Sequence, residues 1–382
     1  MKPFYTLDDR DVQGKTVLVR LDLNVPMQGG KILDSTRIKA SLGTLRELLG
    51  KNARVIILSH LGRPKSKTVP ELTLAPIAQA LSGHLGIPVP MNPEDNAWKI
   101  MMLENIRFHP GEESNDPEFA SYLANMGDVY VNDAFSVSHR AHASVEALAK
   151  LLPACAGRLM EHEIAALSSA LEKPKRPVMA IVGGSKVSTK LGVLENLVHK
   201  VDFLVPAGGI ANTFLLDKHH DVGASLCEPD MLPLVDKILQ EAEKAGCEIV
   251  LPTDVVVAEE LKKGAPSRIS HIDRIKLAES IFDIGPESIA AITAKMDVAE
   301  TLVWNGPLGV FEISPFHEGT EQVAKAAASR NMFKIAGGGE TVAAIAQAGC
   351  DSSFNHISTA GGAFLEWMEG KELPGVAVLK RQ

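Results

Sequence analysis

Two lysines follow a wholly apolar segment and a pair of glycines near the middle of the chain. The apolar segment, residues 178–182, predicts a strand buried on both faces, as in a parallel sheet. The glycines at 183–184 allow a sharp turn and a close approach of the backbone to a ligand. If a helix begins near Ser185, Lys186 and Lys190 lie on one face of its first turns. Because a helix N-terminus favours anions, two cations there indicate a bound polyanion.

Taken alone, the lysine pair is more typical of solvated surface residues beside an ordinary strand-to-helix turn. It does not form a Walker A loop, because no glycine precedes Lys190 at the required position. Its interpretation therefore depends on the residues before and after it.

Arginines recur after the predicted strands of the first half. Arg63, Arg107 and Arg140 each follow the C-terminal end of a predicted strand, and Arg37 opens the helix after the first strand. Each arginine alone is more typical of a surface ion pair, but their repeated placement favours a site, since ligands of open α/β sheets bind at that edge. Three histidines and two acceptors are expected nearby: His60, His139, His142, Asp22 and Asn24. Several guanidinium groups with a few hydroxyl acceptors suit a small phosphorylated hydroxy acid.

The elements that carry these residues alternate between strand and helix. Predicted strands of the first half cover residues 15–26, 54–59, 99–103 and 129–131. Predicted helices lie around 34–49, 74–81 and 119–126, and the first has the apolar stripe Ile38, Leu42, Leu45 and Leu49. The alternation implies a parallel, doubly wound sheet with right-handed crossovers.

The two halves are expected to be separate domains. A helix predicted over residues 157–171 ends at the proline-containing linker 172–177. This places a first domain at 1–172 and a second at 173–372. In the second half, predicted strands enter glycine-rich turns near residues 208–209, 305–309, 337–339 and 361–362. Several helix N-termini at one sheet edge, together with the lysine pair, indicate a nucleotide.

Composition excludes several function classes. The 382 residues carry a net charge of −8 and a pI near 5.9, which argues against a nucleic-acid binder. The cysteines are too far apart for a CxxC pair and suit reduced thiols: Cys155, Cys227, Cys247 and Cys350. With no signal-peptide pattern and no apolar run of about 20 residues, a cytoplasmic enzyme is expected.

The sequence resembles the phosphoglycerate kinase family over nearly its whole length, with the motifs in the family's order. In the first half these are VRLDLNVP (19–26), DSTRI (34–38), SHLGRP (59–64), LENIRF (103–108) and SHRAHAS (138–144). In the second half they are GGSKVSTK (183–190), VWNGPLGVFE (303–312), AGGGET (336–341) and STAGGAFLEWMEGK (358–371).

The resemblance implies an α/β fold of two doubly wound, Rossmann-like domains joined by a hinge helix, with the tail 373–382 packing back on the first domain. It implies that the first domain binds 3-phosphoglycerate or 1,3-bisphosphoglycerate through Asp22, Asn24, Arg37, His60, Arg63, Arg107 and Arg140. The second domain would bind ADP or ATP through Lys186, Lys190, Gly209, Asn305, Gly306, Leu308, Glu312, Gly337, Gly338, Gly339, Glu340 and Thr341. Within that set, Leu308 and Gly209 match the adenine pocket and Glu312 the ribose-binding carboxylate. The resemblance also implies a monomer that requires Mg²⁺.

Three residues depart from the family pattern. Glu340 replaces the aspartate associated with magnesium, so its contact with the metal is expected to be direct or through water. Ala207 and Ala360 replace glycines, which alanine can do only where φ is negative.

The implied reaction is a reversible phosphoryl transfer between 1,3-bisphosphoglycerate and ADP. Both nucleophiles are anionic at neutral pH, so no general base is needed, and catalysis consists of alignment and charge neutralisation. Arg37 and Lys186 are assigned to the transferring group, with domain closure about residues 157–177. Two alternatives compete with this interpretation: a nicotinamide-dependent dehydrogenase, disfavoured because G-x-G-x-x-G is missing after the first strand of either half, and a non-catalytic phosphate- or sugar-binding protein.

Overall fold

The computed structural model describes residues 2–91, 93, 95 and 97–381. The chain divides into two compact units, Met1–Ile164 with Glu372–Gln382 and Ala165–Lys371. The change of unit falls inside the helix Arg158–Leu171, ahead of the boundary placed at 172 from the sequence. The predicted first domain begins at Met1 and its tail ends at Gln382, and both of these residues lie outside the described residues. None of the helices in the described ranges is long and apolar enough to cross a membrane.

The first unit is built on a parallel sheet with helices between its strands. Its strands are β1 (Thr16–Leu21), β2 (Met27–Gln28), β3 (Lys31–Ile32), β4 (Arg54–Leu58), β5 (Ile100–Met102), β6 (Val129–Asp133) and β7 (Ala154–Ala156). Its helices are α1 (Thr36–Gly50), α2 (Ala75–Leu85), α3 (Pro110–Glu113), α4 (Pro117–Ala124) and α5 (Leu148–Leu151), followed by α6 (Arg158–Leu171), which enters the second unit.

The strand order of this sheet creates a switch point. The order is β5-β4-β1-β6-β7, with every neighbouring pair parallel. From β1 the chain builds outward through β4 and β5, and then returns to the other side of β1 for β6 and β7. In open α/β sheets, ligands bind at the carboxyl ends of the strands where the order reverses. The loops after β1 and β6 are therefore the expected position of a ligand.

Two helices of the first unit differ in detail from the sequence prediction. In α1, Ile38, Leu42 and Leu45 are buried as predicted, but Leu48 is fully buried while Leu49 is only partly buried. The face of α1 that meets the sheet is thus turned slightly from the predicted one. Helix α2 continues past the predicted range 74–81 and ends before Gly86, where φ is 71°. Glycine adopts that left-handed conformation without strain.

The second unit also contains a parallel sheet. Its strands are β8 (Val178–Gly184), β9 (Phe203–Gly208), β10 (Glu248–Ile249), β11 (Asp254–Ala258), β12 (Arg268–His271), β13 (Ser280–Ile284), β14 (Thr301–Asn305), β15 (Phe333–Gly337) and β16 (His356–Ser358). Its helices are α7 (Leu191–Leu197), α8 (Gly209–Asp217), α9 (Leu232–Ala245), α10 (Pro286–Met296), α11 (Glu318–Ala328), α12 (Gly339–Gln347) and α13 (Gly362–Met368).

The six-stranded sheet has the order β10-β9-β8-β14-β15-β16, so its switch point lies between β8 and β14. The residues of β8 from 178 to 183 are buried, which explains the continuous apolar run in the sequence. The two parallel sheets confirm the predicted α/β class. A separate antiparallel sheet, β12-β11-β13, was not predicted, because the alternation along these short strands does not reveal which sheet they join.

The C-terminal tail belongs to the first unit. It contains the short helix α14 (Pro374–Ala377) and buries Leu379 completely. The backbone N–H of Tyr5 donates to Leu379 O and that of Gly375 donates to Ser138 O, each at 2.9 Å. The tail is thus hydrogen-bonded both to the N-terminal segment and to the loop that follows β6.

Candidate active site

In the first unit, the loop after β1 orients an arginine from the next helix. Arg37 Nη1 lies 2.5 Å from Asp22 Oδ2 and donates to Asn24 O at 3.3 Å. The hydroxyl of Ser136, which follows β6, donates to the same Asp22 oxygen. Asp22 therefore connects residues from both sides of the switch point and holds the guanidinium of Arg37, which stays one-third exposed.

The loop after β4 is fixed against its neighbours through the backbone of Gly62. Gly62 N–H donates to Asn24 Oδ1 at 2.9 Å, and Arg107 Nη1 donates to Gly62 O at 2.8 Å. His60 in this loop is buried, whereas Arg63 is exposed. Asn24 and Arg107 thus position a loop that presents one buried and one exposed predicted site residue.

Three of the four predicted arginines, Arg37, Arg107 and Arg140, lie close enough to His60 to affect its pKa. Burial holds the pKa of His60 well below its usual range, and nearby guanidinium groups lower it further; these belong to Arg20, Arg107, Arg140 and Arg37. Burial, followed by the charges of Arg20 and Arg140, likewise lowers the pKa of Arg107 to about 10. Arg107 therefore stays charged at neutral pH while His60 stays neutral. Several cations in a partly desolvated setting form an anion site.

The other two predicted histidines have different surroundings. Arg140 Nε donates to His139 Nε2 at 3.3 Å, so His139 supports an arginine of the predicted group. His142 is buried, and its Nδ1 lies 3.7 Å from an oxygen of the buried Glu112. Beyond the effect of burial, three of the predicted arginines lower the pKa of His60 and two lower that of His139.

In the second unit, a cavity of about 420 Å³ lies beside the switch point. Four residues of the predicted nucleotide set line it: Gly209, Leu308, Glu312 and Glu340. Its apolar walls include Leu226, Ile281, Phe282 and Val310, which the sequence did not mark as site residues. An apolar cavity with glycine-rich turns and a few carboxylates is suited to a base, a ribose and a phosphate chain.

The predicted phosphate-contacting residues form a connected group at the ends of β8, β14 and β15. Lys190 Nζ donates to Asn305 Oδ1, and Asn305 Nδ2 donates to Gly337 O at 2.7 Å. Thr341 Oγ1 accepts from Gly306 N–H at 2.6 Å. Burial lowers the pKa of Lys190, and the carboxylates of Glu340 and Glu369 partly offset that effect. Lys190 is thus a partly desolvated cation beside two glycine-rich turns.

No α-helix begins near Ser185, so the condition under which the two lysines would share a helical face is not met. Lys186 has extended backbone, residues Val187–Thr189 form a 3₁₀ turn, and α7 begins only after Lys190. The carboxylate of Glu228 holds this turn, since it accepts from Ser188 N–H at 2.9 Å and from Ser188 Oγ at 2.7 Å. Lys186 is exposed and Lys190 partly buried, so the two lysines do not share a helical face.

Close backbone approach explains part of the glycine pattern. A Cβ on Gly183 would overlap the backbone of Gly306 and Pro307, so the ends of β8 and β14 can meet only without that side chain. The non-glycine residues with positive φ in the described part of the chain are Asn52, Lys65, Ser66, Asn115 and His219. Ala207 and Ala360 are outside this group, so their backbones accept alanine.

Asp283 is a cavity residue that the sequence did not reveal. Its carboxylate accepts from Gly319 N–H at 2.7 Å and from Ile284 N–H at 2.9 Å, and its side chain is 2% exposed. Burial raises the pKa of Asp283 to about 7 despite these hydrogen bonds. A carboxylate within the apolar sequence Ile-Phe-Asp-Ile was the available signal, since a buried charge needs partners.

We expect Asp283 to make folding stability pH-dependent. Because its pKa is raised in the folded state, its stabilising contribution is complete below the unfolded pKa of 3.8 and is lost as pH rises through about 7. Relative to Asp283→Asn, the wild type should lose about 3 kcal/mol of unfolding free energy between about pH 5 and about pH 8. Urea unfolding followed by tryptophan fluorescence measures this difference. Parallel pH profiles for the two proteins would contradict the assignment.

Comparison with known proteins identifies the family. The family model described as phosphoglycerate kinase matches residues 7–371. The chain belongs to the phosphoglycerate kinase family. The phosphoglycerate kinase of Ruegeria sp. (strain TM1040) is 53% identical over 391 residues, covering 98% of this chain and 99% of the relative. That of Caulobacter vibrioides (strain NA1000 / CB15N) is 53% identical over 395 residues, covering 99% of each chain.

Solved structures agree with this placement. The phosphoglycerate kinase structure from Coxiella burnetii matches with a TM-score of 0.96 and 44% identity, covering 99% of both chains. The one from Pyrococcus horikoshii OT3 matches with a TM-score of 0.79 and 32% identity, covering 98% of both chains. The chain is therefore a phosphoglycerate kinase family enzyme, a kinase that transfers phosphate to a carboxyl group, and its substrates include a nucleotide.

Proposed function

We propose that this enzyme transfers a phosphoryl group reversibly between 1,3-bisphosphoglycerate and ADP through the two sites described above. Two observations carry the assignment. In one unit, several guanidinium groups lie around His60; in the other, a cavity is lined by glycine-rich turns, and Lys190 is bonded to Asn305 at the end of a neighbouring strand. The first feature suits a phosphorylated hydroxy acid and the second a nucleotide. This assigns the acid to a first domain of residues 1–172 with the tail 373–382, and the nucleotide to residues 173–372, in a monomer.

In the first domain, the arginines bind the phosphate and carboxylate groups of the acid. Arg63, Arg107 and Arg140 supply charge-assisted hydrogen bonds, and the exposed position of Arg63 leaves its guanidinium accessible to a ligand. Asp22 and Asn24 serve two purposes: they can accept from the substrate hydroxyl, and they position Arg37 and the loop at Gly62. His60, neutral at pH 7, donates one hydrogen bond to the acid.

In the second domain, the cavity holds the base and ribose while the strand ends hold the phosphates. Leu308 and Gly209 lie against the base, and Glu312 accepts from the ribose hydroxyls. The phosphate chain lies at Lys190 and at the glycine-rich turns, whose members are Asn305, Gly306, Gly337, Gly338, Gly339 and Thr341. Helix α12, which begins at Gly339, adds the positive end of its dipole.

The chemistry requires alignment and charge neutralisation. A carboxylate or a terminal phosphate attacks the phosphorus while the opposite oxygen leaves, and neither nucleophile has a proton to lose at neutral pH. Arg37 and Lys186 neutralise the transferring group, one from each domain. Because the two ligands bind to different domains, we propose that closure about residues 157–177 brings them into line and excludes water from the acyl phosphate.

We propose Glu340 as the protein group that holds Mg²⁺, directly or through water. The part of the chain that is described contains no cluster of three or more histidine, cysteine or acidic side chains suited to a metal. This fits Mg²⁺ with a nucleotide, since that ion is commonly held by one or two carboxylates and the substrate phosphates. When bound, the ion neutralises phosphate charge.

Glu340→Gln should increase the Mg²⁺ concentration needed for half-maximal activity by about 10-fold, because a neutral amide is a weaker ligand than a carboxylate. Glu340→Asp, which keeps the charge, is the matched control and should stay near wild type. The measurement is initial rate against free Mg²⁺ at fixed ATP and 3-phosphoglycerate. Identical Mg²⁺ profiles for all three proteins would remove Glu340 from the metal site.

The direct test is ATP-dependent phosphorylation of 3-phosphoglycerate with Mg²⁺, coupled to NADH oxidation by added glyceraldehyde-phosphate dehydrogenase. We expect substrate-dependent NADH oxidation from the wild type. A folded protein that binds ATP but gives no turnover would contradict the assignment. Small-angle scattering of the same preparation tests closure, since an unchanged radius of gyration with both substrates bound would contradict it.

A further inference from the structure

A chain of buried polar groups lies behind His60. Arg20, which is completely buried, donates from Nη2 to His60 Nδ1 at 3.1 Å and from Nε to Ser144 Oγ at 2.9 Å. The Ser144 hydroxyl in turn donates to Glu112 Oε1 at 2.7 Å. Glu112 and Ser144 are both fully buried. The phosphoryl-transfer mechanism uses none of Arg20, Ser144 and Glu112 directly.

The proton positions along this chain follow from donor and acceptor chemistry. A guanidinium can only donate, so His60 Nδ1 must accept and therefore carries no proton. In the neutral ring the proton then resides on Nε2, which becomes the donor available to a ligand. The Ser144 hydroxyl gives its own proton to Glu112 and keeps lone pairs for Arg20 Nε. Each group in the chain is thus limited to one orientation.

Glu112 is the charged end of the chain. Burial acts to raise its pKa, but the neighbouring His142, the charge of Arg20 and the hydrogen bonds from Ser144 together lower it. The second oxygen of Glu112 accepts from Ser144 N–H at 3.0 Å, so both carboxylate oxygens accept hydrogen bonds from Ser144. Ser144 lies in the π-helical turn Ala143–Ala147, and the Tyr130 hydroxyl donates a hydrogen bond to the backbone carbonyl of Ser144 at 2.6 Å. Such π turns are uncommon and frequently occur at functional sites.

The same geometry compensates the buried charge of Arg20. Without Glu112, the guanidinium would be a desolvated cation among other cations, which is costly. The Ser144 hydroxyl would still accept from Arg20 Nε, but it would lose the carboxylate that receives its own proton and fixes its rotation. Arg20 Nη1 donates to Leu21 O at 2.5 Å. Because the guanidinium is planar and rigid, this bond and the one from Nε to Ser144 together determine the position of Nη2 at the imidazole of His60.

We propose that Glu112 is a positioning residue for the acid-binding site: through Ser144 and Arg20 it fixes His60 as the Nε2–H tautomer, so that the ring presents a donor to the anionic substrate. The inference rests on the proposed function in assigning the acid to His60. The tautomer itself is a property of the free enzyme and does not depend on that assignment.

The test is ¹⁵N NMR of the histidine rings in the full chain, with the His60 signals identified by their loss in His60→Gln. We expect the wild type to show an unprotonated Nδ1 and a protonated Nε2 at His60. Glu112→Gln and Ser144→Ala should each give a mixture of tautomers, and should raise KM for 3-phosphoglycerate about 10-fold with KM for ATP unchanged. The exposed Glu118→Gln, also in the first unit, is the control and should match the wild type.

The outcomes separate this inference from the proposed function. Two results would overturn the inference even if the kinase assay succeeds. One is a His60 ring protonated at Nδ1 in the wild type; the other is an unchanged His60 tautomer in both Glu112→Gln and Ser144→Ala. Failure of the kinase assay would overturn the proposed function while the tautomer measurement stands. Because Glu112 is buried, Glu112→Gln could unfold; Ser144→Ala, checked by thermal unfolding, then carries the same test.

Discussion

Arg37→Ala is expected to lower kcat by about 10³-fold, with a much smaller change in KM for ATP. In the proposed mechanism Arg37 neutralises the transferring phosphoryl group, so its contribution is largest in the transition state. The hydrogen bonds to Asp22 and Asn24 O fix its guanidinium beforehand, which means that little reorganisation is needed when the charge develops. The measurement is the coupled assay at saturating ATP and 3-phosphoglycerate.

Two further variants distinguish a catalytic role from a structural one. Arg46→Ala removes an exposed arginine from the same helix, α1, and should leave kcat unchanged. Arg37→Lys keeps the charge but not the planar fork, so it should recover only part of the lost rate. If Arg37→Ala and Arg46→Ala had the same kcat, Arg37 would not act on the transferring group.

The sequence allowed the parallel sheets to be predicted, and with them the sheet edge at which the candidate site residues lie. The apolar run at residues 178–182 marks a central strand because it is buried on both faces. Polar residues following several such runs mark one edge of the sheet, because parallel strands end together. The placement of Asp22, Arg37, His60 and Arg107 follows from this rule and requires no knowledge of individual contacts.

Other features depend on contacts that the sequence pattern does not contain. The position of Arg20 within an apolar run of the sequence indicates that it needs partners. However, Ser144 is 124 residues away, and Glu112 is linked to Arg20 only through Ser144. Similarly, the 3₁₀ turn after Lys186 is hydrogen-bonded to Glu228, 40 residues beyond Ser188. A contact at this separation is not visible in the local pattern, which allowed a helix from Ser185.

The start of α7 only after Lys190 gives the two lysines different expected roles. Lys186 is exposed on extended backbone, whereas Lys190 is partly buried and bonded to Asn305. An exposed cation on a flexible stem can follow the transferring group, while a fixed one beside the glycine-rich turns suits phosphates that do not move. Replacing either lysine by alanine should therefore lower activity, but the two replacements should change different kinetic constants.

Lys186→Ala should lower kcat by about 10²- to 10³-fold with little change in KM for ATP, as expected for a cation that acts mainly in the transition state. Lys190→Ala should instead raise KM for ATP by about 10-fold or more, because it removes a charge-assisted contact to bound phosphates. The exposed Lys263→Ala provides the control for a lost surface charge in the same unit. Steady-state kinetics with ATP varied at saturating 3-phosphoglycerate separates the two effects. If both lysine variants changed only KM, Lys186 would bind the nucleotide without acting on the transferring group, and Arg37 would be the main protein cation in the transition state.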